Sequence, residues 1–396
     1  MKNLKDNPTF CVLPWMHLHV NTRNKVLPCC IADKGEDYNE FPNSTDGDIN
    51  EIMNSDVFKK IRSDMLNGEA VKHCSQCYEL EKYSSHSSRK HSNNKYLTPD
   101  LENRIINETA SDGEYDFDVL YFDTRFSNVC NYKCRMCGAG ASTKWYEDVD
   151  YSIKGPYISI DNIKEYCDSN IEYFKNLKYV YFAGGEPLVQ TQHYEFLEWC
   201  IENNLDPELY YQSNGSILKY GKYDILDLWS NFSKVTYSVS IDCFGEVGEY
   251  IRTGYQDKKV KENLRKVCDF FGSNKEITIN STFMVYNALF ITDFFDEIDL
   301  EPWVINNNVY PQLLIYPEYL QPKVLPKELK EKAVSKIKNS KWYKQFPEKF
   351  EALLNNLKEE SNEELWSSFV EHTKDLDKKR KENLLEIIPD FGGYYE

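Results

Sequence analysis

Three cysteines fall within ten residues, Asn128-Val129-Cys130-Asn131-Tyr132-Lys133-Cys134-Arg135-Met136-Cys137, with the spacing Cys-x3-Cys-x2-Cys. Soft thiolate ligands suit iron, and three of them on one tight loop suit a cubane iron–sulfur cluster. A four-iron cluster held by three protein thiolates leaves one iron open to a substrate or cofactor, by the logic that separates catalytic from structural zinc sites. The competing reading is a structural zinc knuckle. That needs a fourth ligand close by, and no Cys or His follows until Cys167.

About fifty residues on, an apolar strand runs directly into a second signal, Val180-Tyr181-Phe182-Ala183-Gly184-Gly185-Glu186-Pro187. Gly184 and Gly185 let a ligand approach the backbone closely, and the Glu186 carboxylate can take an ammonium group. The cysteine loop and Gly-Gly-Glu-Pro, in this order and spacing, resemble the radical S-adenosylmethionine (radical SAM) enzymes. The resemblance implies a 4Fe-4S cluster on Cys130, Cys134 and Cys137, with S-adenosylmethionine chelating the open iron through its amino and carboxylate groups. It also implies one-electron cleavage of the sulfonium, fed by a reductant such as flavodoxin or ferredoxin, and hydrogen abstraction by a 5′-deoxyadenosyl radical. The residue before the third cysteine, often aromatic in the family, is here Met136, apolar and able to cover the cluster equally well.

At 396 residues the chain has room for two or three domains. Its net charge of −17 disfavours nucleic acid as a partner, because phosphate binding needs a basic surface. The first residues carry no apolar core of a signal peptide, and no run approaches bilayer-spanning length, so a soluble, cytoplasmic protein with no membrane partner is expected. In that compartment the twelve cysteines are not expected to form disulfides. Seven of them fall in two motif groups. Cys30, Cys167, Cys200, Cys243 and Cys268 are scattered and read as small buried hydrophobes.

The second group lies near the N-terminus. Residues 15–20 alternate, with Met16, Leu18 and Val20 on one face and Trp15, His17 and His19 on the other. A polar turn over 21–25 and a second strand into Pro28-Cys29 complete a hairpin that brings Cys11 towards Cys29. A helix capped by Asn54 or Ser55 and ended by Gly68 follows, then Cys74-x2-Cys77. Four thiolates, Cys11, Cys29, Cys74 and Cys77, can close a structural zinc site or ligate an iron–sulfur cluster, and spacing does not choose. The pattern resembles the SPASM/twitch auxiliary-cluster domains of radical SAM enzymes, which implies one auxiliary cluster, with Cys30 as a substitute ligand for Cys29. Two departures are Asn24 where that family usually has glycine, and a domain that precedes the core instead of following it. His17 and His19 read as ordinary polar-face strand residues, 82–94 as a solvated loop, and Arg89 as a surface residue.

From Tyr115 onward strand and helix signals alternate. Strands are expected over 119–124, 178–183, 209–213, 234–240, 276–284 and 309–316, with helices such as 193–203 and 258–271 between them. This is an α/β pattern with a parallel sheet, which the resemblance refines to a partial (β/α)6 barrel. Ligands collect at the C-terminal strand ends of such sheets, where the cysteine loop and Gly-Gly-Glu-Pro both stand. By resemblance, Asn214, Ser240, Asp242 and Arg252 belong to the cofactor site, Ser240 and Asp242 on the ribose hydroxyls and Arg252 on the methionine carboxylate or ribose. Read alone, Asn214 is a turn former, Asp242 a helix cap and Arg252 a surface ion pair. Asn280 and Asn287 read as satisfying backbone groups. Beyond Pro317, stripes at Phe350, Leu353, Leu354, Leu357 and at Leu365, Trp366, Phe369, Val370 give helices that pack over the barrel, and 374–381 reads as solvated surface.

The expected organisation is an auxiliary-cluster domain with linker over 1–112, a partial barrel over 113–318 and a helical extension over 319–396. The expected activity is hydrogen abstraction from a peptide or protein side chain. A small metabolite, sugar or nucleotide-derived, is the alternative substrate, and a non-catalytic metal-binding scaffold the alternative class.

Overall fold

The computed structural model describes residues 4–32, 38–82, 87–149, 155–303 and 308–395. Among the described residues, ten strands follow one another along the chain. β1 (His17–Val20) and β2 (Val26–Leu27) form the N-terminal hairpin. β3 (Tyr121–Thr124), β4 (Tyr179–Phe182) and β5 (Glu208–Ser213) come next. A small two-stranded excursion, β6 (Lys219–Tyr220) and β7 (Tyr223–Asp224), interrupts the series. β8 (Val235–Ser240), β9 (Ile277–Phe283) and β10 (Val309–Leu313) complete it. The six strands expected from the alternation are all present, each within a few residues of its expected span.

The main sheet has the order β10-β9-β8-β5-β4-β3-β1-β2. From β3 to β10 every neighbouring pair is parallel. Each strand therefore lies beside the next one in the sheet, as a run of strand–helix units winding one way requires. Alternation sorts the side chains. Phe122, Val180, Phe182, Leu209, Val235, Tyr237, Ile277 and Ile279 are buried on the helix-covered face. Asp123, Tyr181, Gln212, Ser238 and Asn280, one residue out of phase, line the hollow of the curved sheet. Pro311 is tolerated in β10 because that strand is the sheet edge.

The N-terminal hairpin does not stand apart. β1 pairs in parallel with β3, His17 opposite Tyr121 and His19 opposite Asp123, so the cysteine-bearing segment extends the barrel sheet itself. All four residues of β1 are buried, which corrects the reading of His17 and His19 as ordinary polar-face residues. Asn24 turns the hairpin at φ 63°, the left-handed region that Asn tolerates best after Gly.

The stretch read as a solvated loop over 82–94 folds into the helix Ser88–Tyr96, while 83–86 lies outside the described residues. The sequence shows no apolar stripe because the helix docks through polar groups. Asn93 donates to the Phe10 carbonyl at 2.9 Å and accepts from the Val12 N–H at 2.8 Å, acting as a strand edge would. Arg89 is buried, not on the surface, and donates to the Phe10 carbonyl at 2.7 Å. Of the C-terminal stripes, Phe350 and, on helix Glu351–Lys358, Leu353, Leu354 and Leu357 are buried, while on helix Glu363–Arg380, capped by Asn362 on the Leu365 N–H, Phe369 is buried and Leu365, Trp366 and Val370 are half-buried against the core. Among the described residues no helix is long and apolar enough to cross a membrane.

His193, on the helix Thr191–Glu202, is fully buried, its ring edge-on to Phe182 and its Nε2 2.8 Å from the Tyr211 hydroxyl. Burial pushes its pKa down to about 3. In the unfolded chain the imidazole takes up a proton near pH 6.5, whereas in the fold it stays neutral. The unfolded state therefore binds more protons as pH falls, and stability declines from pH 6.5 downward at about 1.4 kcal/mol per unit. His193→Gln is expected to recover about 2 kcal/mol of the stability lost between pH 6.5 and about 4.5. Urea unfolding of the variant at the two pH values checks this, and an unchanged acid slope would assign the loss elsewhere.

Candidate active site

The cysteine loop leaves the C-terminal end of β3 and is fixed by backbone contacts on two sides. On one, Gly185 N–H donates to the Ser127 carbonyl at 3.0 Å and Glu186 N–H to the Val129 carbonyl at 2.8 Å. On the other, Lys133 N–H reaches the Thr253 carbonyl at 3.0 Å and Arg135 N–H the Ile251 carbonyl at 2.8 Å. A Cβ added at Gly185 would lie 2.1 Å from the Val129 carbonyl oxygen. The backbone that needs this glycine is therefore that of the cysteine loop, where the sequence pointed to an approaching ligand. Gly184, at φ 115°, turns the chain into that approach. Gly185→Ala is expected to displace the loop at a cost of at least about 1–3 kcal/mol. Iron loading at Cys130, Cys134 and Cys137 should fall with it, and retention of full iron content in the variant would show the contact to be dispensable.

The three loop thiols face one another. Cys134 and Cys137 share a sulfhydryl hydrogen bond that, with the Arg252 guanidinium, holds the Cys134 thiol down to about 7 against the effect of burial. Burial, then the neighbouring Cys134 and Glu186, push Cys130 up to about 12. Arg252 stands 3.8 Å from the Cys134 sulfur. Three convergent soft donors beside a guanidinium fit a cluster bound through thiolates. Met136 is half-buried on the same loop.

Glu186 is turned inward. Its carboxylate accepts from the Ser213 hydroxyl at 2.9 Å, the Asn214 N–H at 2.7 Å and the Leu188 N–H at 3.2 Å, which pins the end of β5 to the Gly-Gly-Glu-Pro turn. Burial raises its pKa to about 7 despite these donors. The carboxylate read as an ammonium acceptor thus uses three of its about four acceptor sites within the chain. Asn214 forms the expected turn, accepting from the Ser216 N–H at 2.9 Å, and also donates to Asn131 of the cysteine loop at 2.8 Å.

Asp242 and Arg252 form a buried ion pair, with Nε–Oδ2 and Nη2–Oδ1 separations of 2.8 and 3.0 Å. Asp242 also accepts from the Thr282 N–H at 2.7 Å. Neither the surface pair nor the helix cap of the residue-by-residue reading describes them. Ser240 accepts from Gln212 at 2.6 Å, and Asn280 bridges Gln212 and Ser238 at 2.6 and 2.8 Å, a polar ladder across three strands. Asn280 thus lines the interior, while Asn287 does bind backbone, at the Asp242 and Thr282 carbonyls. Gln212 carried no local signal, since its partners lie on other strands. Asp123 did, as the lone carboxylate in the short strand Tyr-Phe-Asp-Thr.

The C-terminal extension also reaches the loop. Arg135, fully buried, donates to the Tyr250 carbonyl at 3.0 Å and to Asp377 at 2.6 Å, with Glu382 as a further partner. Arg380 pairs with Asp148 at 2.8 Å and lies over the Trp145 ring, whose Nε1 donates to the Cys134 carbonyl at 3.0 Å. The charged run 374–381 is therefore not solvated throughout, because Asp377 and Arg380 are its inward members.

The second cysteine group also converges. After burial itself, Cys74 and Cys77 raise the pKa of Cys11, Cys29 and Cys77 raise that of Cys74, and Cys30, then Cys11 and Cys77, raise that of Cys29. Cys30, beside Cys29 and near Tyr121, Arg125 and Tyr181, is exposed, which corrects its reading as a small buried hydrophobe. Four gathered thiols whose anionic forms repel, with Arg89 as their cationic neighbour, fit a soft metal centre that would compensate the charge. Both this group and the polar ladder line a single cavity of about 1590 Å³.

Comparison with known proteins adds to this geometry. Residues 124–286 match the Radical SAM superfamily, and residues 11–78 match the SPASM iron-sulfur cluster-binding domain. Among curated proteins, the S-adenosylmethionine-dependent nucleotide dehydratases RSAD2 of Oncorhynchus mykiss and Danio rerio are each 27% identical over 41% of this chain. The chain spans 43% and 42% of their respective lengths, less than half. Among solved structures, native anSMEcpe with bound AdoMet aligns over 58% of this chain and 61% of that one, at 18% identity and a TM-score of 0.40. Streptococcus suis SuiB bound to S-adenosylmethionine aligns over 74% and 68%, at 12% identity and a TM-score of 0.39. Both cysteine groups thus lie in segments that match radical SAM family models, the three-cysteine core in the Radical SAM superfamily match and the four-cysteine segment ahead of it in the SPASM iron-sulfur cluster-binding domain match.

Proposed function

We propose that this chain cleaves S-adenosylmethionine reductively at a 4Fe-4S cluster on Cys130, Cys134 and Cys137, and removes a hydrogen atom from a peptide or protein side chain. The observation that carries the reading is the convergence of those three thiols with Arg252, at the C-terminal ends of parallel strands whose interiors line a common cavity with a second four-thiol group. When bound, the cluster and S-adenosylmethionine supply the one-electron chemistry that attacks an unreactive C–H bond. The chain's own part is to bind and shield. Cys130, Cys134 and Cys137 hold the cluster, Met136 covers it, and Gly184, Gly185, Asn214, Ser240, Asp242 and Arg252 frame the cofactor. Cys11, Cys29, Cys74 and Cys77 hold an auxiliary iron–sulfur cluster. A reductant such as flavodoxin or ferredoxin delivers the electron.

The cavity volume supports a peptide segment, since small-ligand pockets run to about 300–1,000 Å³. The curated relatives favour a second reading, a nucleotide substrate. An anaerobic assay with a strong reductant tests the core proposal, with 5′-deoxyadenosine as the expected product. Zinc in place of iron and no cleavage would support the metal-binding scaffold instead. Mass spectrometry of co-purified material separates the substrates, a bound peptide favouring the first reading and a nucleotide the second.

A further inference from the structure

A third convergent set lies between the two cysteine groups. β1 and β3 place His19 opposite Asp123, with His17 two residues back along β1. Asp123 Oδ2 stands 3.1 Å from His19 Nδ1 and 3.8 Å from His17 Nε2, while its Oδ1 stands 2.9 Å from Arg125 Nε. All three side chains are 2–3% exposed. One ligating atom from each lies within 4.8 Å of the other two. Donors sharing an ion at about 2.0–2.2 Å stand roughly 3–3.5 Å apart, so small side-chain shifts close this set around a metal.

A hydrogen-bonded His–Asp–Arg core would explain His19 and Arg125 but leaves His17 unexplained. His17 Nδ1 is 3.3 Å from the Pro28 carbonyl, and an N–H donated there leaves the lone pair on Nε2. That Nε2 is buried and has no hydrogen-bond partner. An unpaired buried acceptor carries a desolvation cost that a ligand on it relieves. A ring nitrogen whose opposite N–H is tied to a carbonyl is the arrangement that metal-bound histidines show. His17 and Asp123 both line the cavity of about 1590 Å³, so the set is reachable from it.

We propose that His17, His19 and Asp123 form a mononuclear site for a divalent transition-metal ion, distinct from both cysteine groups and open to the cavity. Two imidazoles and one carboxylate suit zinc or ferrous iron and leave coordination positions free. Asp123 and Arg125 already balance one another, so a divalent ion brings two uncompensated positive charges into a buried setting. An anionic oxygen completes the shell: hydroxide, or the carboxylate of a molecule in the cavity.

Zinc tests the site in the cluster-loaded chain. The protein is equilibrated with zinc without oxygen, freed of excess by gel filtration, and examined by metal analysis and X-ray absorption at the zinc edge. The expected result is one retained zinc per chain with a nitrogen and oxygen shell at about 2.0–2.1 Å. His17→Gln and His19→Gln should each lower retained zinc at least tenfold while the iron–sulfur absorbance stays. No retained zinc in the unsubstituted chain, a sulfur-dominated shell, or equal retention in both variants overturns the site. The shell in the unsubstituted chain decides the matter even where a variant does not fold, and it does so independently of any S-adenosylmethionine cleavage.

Discussion

Replacing Cys130, Cys134 and Cys137 together by Ala is expected to bring 5′-deoxyadenosine formation down to the no-enzyme background. Iron content should fall by about four per chain, because a cubane cluster with no protein thiolate has nothing to hold it. The second group does not share these ligands. Cys11, Cys29, Cys74 and Cys77 sit on the N-terminal hairpin and the segment after helix Asp56–Asn67, and should keep their metal. Iron analysis and the visible spectrum report the retained centre, and product chromatography reports cleavage. A triple variant that still releases 5′-deoxyadenosine would remove the loop from the chemistry altogether.

Arg252→Met is expected to cost about 3–5 kcal/mol of stability, the range for removing one partner of a buried ion pair. The cost arises at Asp242, fully buried, which would keep one N–H donor, from Thr282, against a full negative charge. The double variant Arg252→Met, Asp242→Leu removes both charges and should be more stable than Arg252→Met alone, with a coupling of about 2 kcal/mol or more. Anaerobic urea unfolding of the two single variants and the double variant measures it. Additive losses would mean that the pair is not coupled. Because Arg252 also stands 3.8 Å from the Cys134 sulfur, the single variant should in addition weaken S-adenosylmethionine binding.

Both functional loops were legible in the sequence because their chemistry is local. Three thiols a few residues apart on one loop converge without help from the rest of the chain, and Gly185 must follow Gly184 for one backbone to pass another. The strands were legible for a similar reason, since each outward apolar face recurs with period two and ends in a turn. What the sequence concealed depends on partners far along the chain. Gln212, Ser238 and Asn280 form a ladder only once β5, β8 and β9 lie side by side. The helix Ser88–Tyr96 shows no apolar periodicity because Asn93 docks it through hydrogen bonds. Glu186 carries a family motif, yet its direction is decided by Ser213 and Asn214. In 374–381 composition gives charge, and only the partners Arg135 and Asp148 distinguish the inward members.

The contact between Arg135 and Asp377 spans 242 residues of sequence. At about 5–20 residues per second, a ribosome takes roughly 10–50 s to travel that distance. Throughout that interval the nascent cysteine loop can make its backbone contacts to the glycine turn but not the ion pairs of Arg135. A product of premature termination ahead of Asp377 would retain every thiol and the glycine turn, yet leave the Arg135 guanidinium without either carboxylate, Asp377 or Glu382.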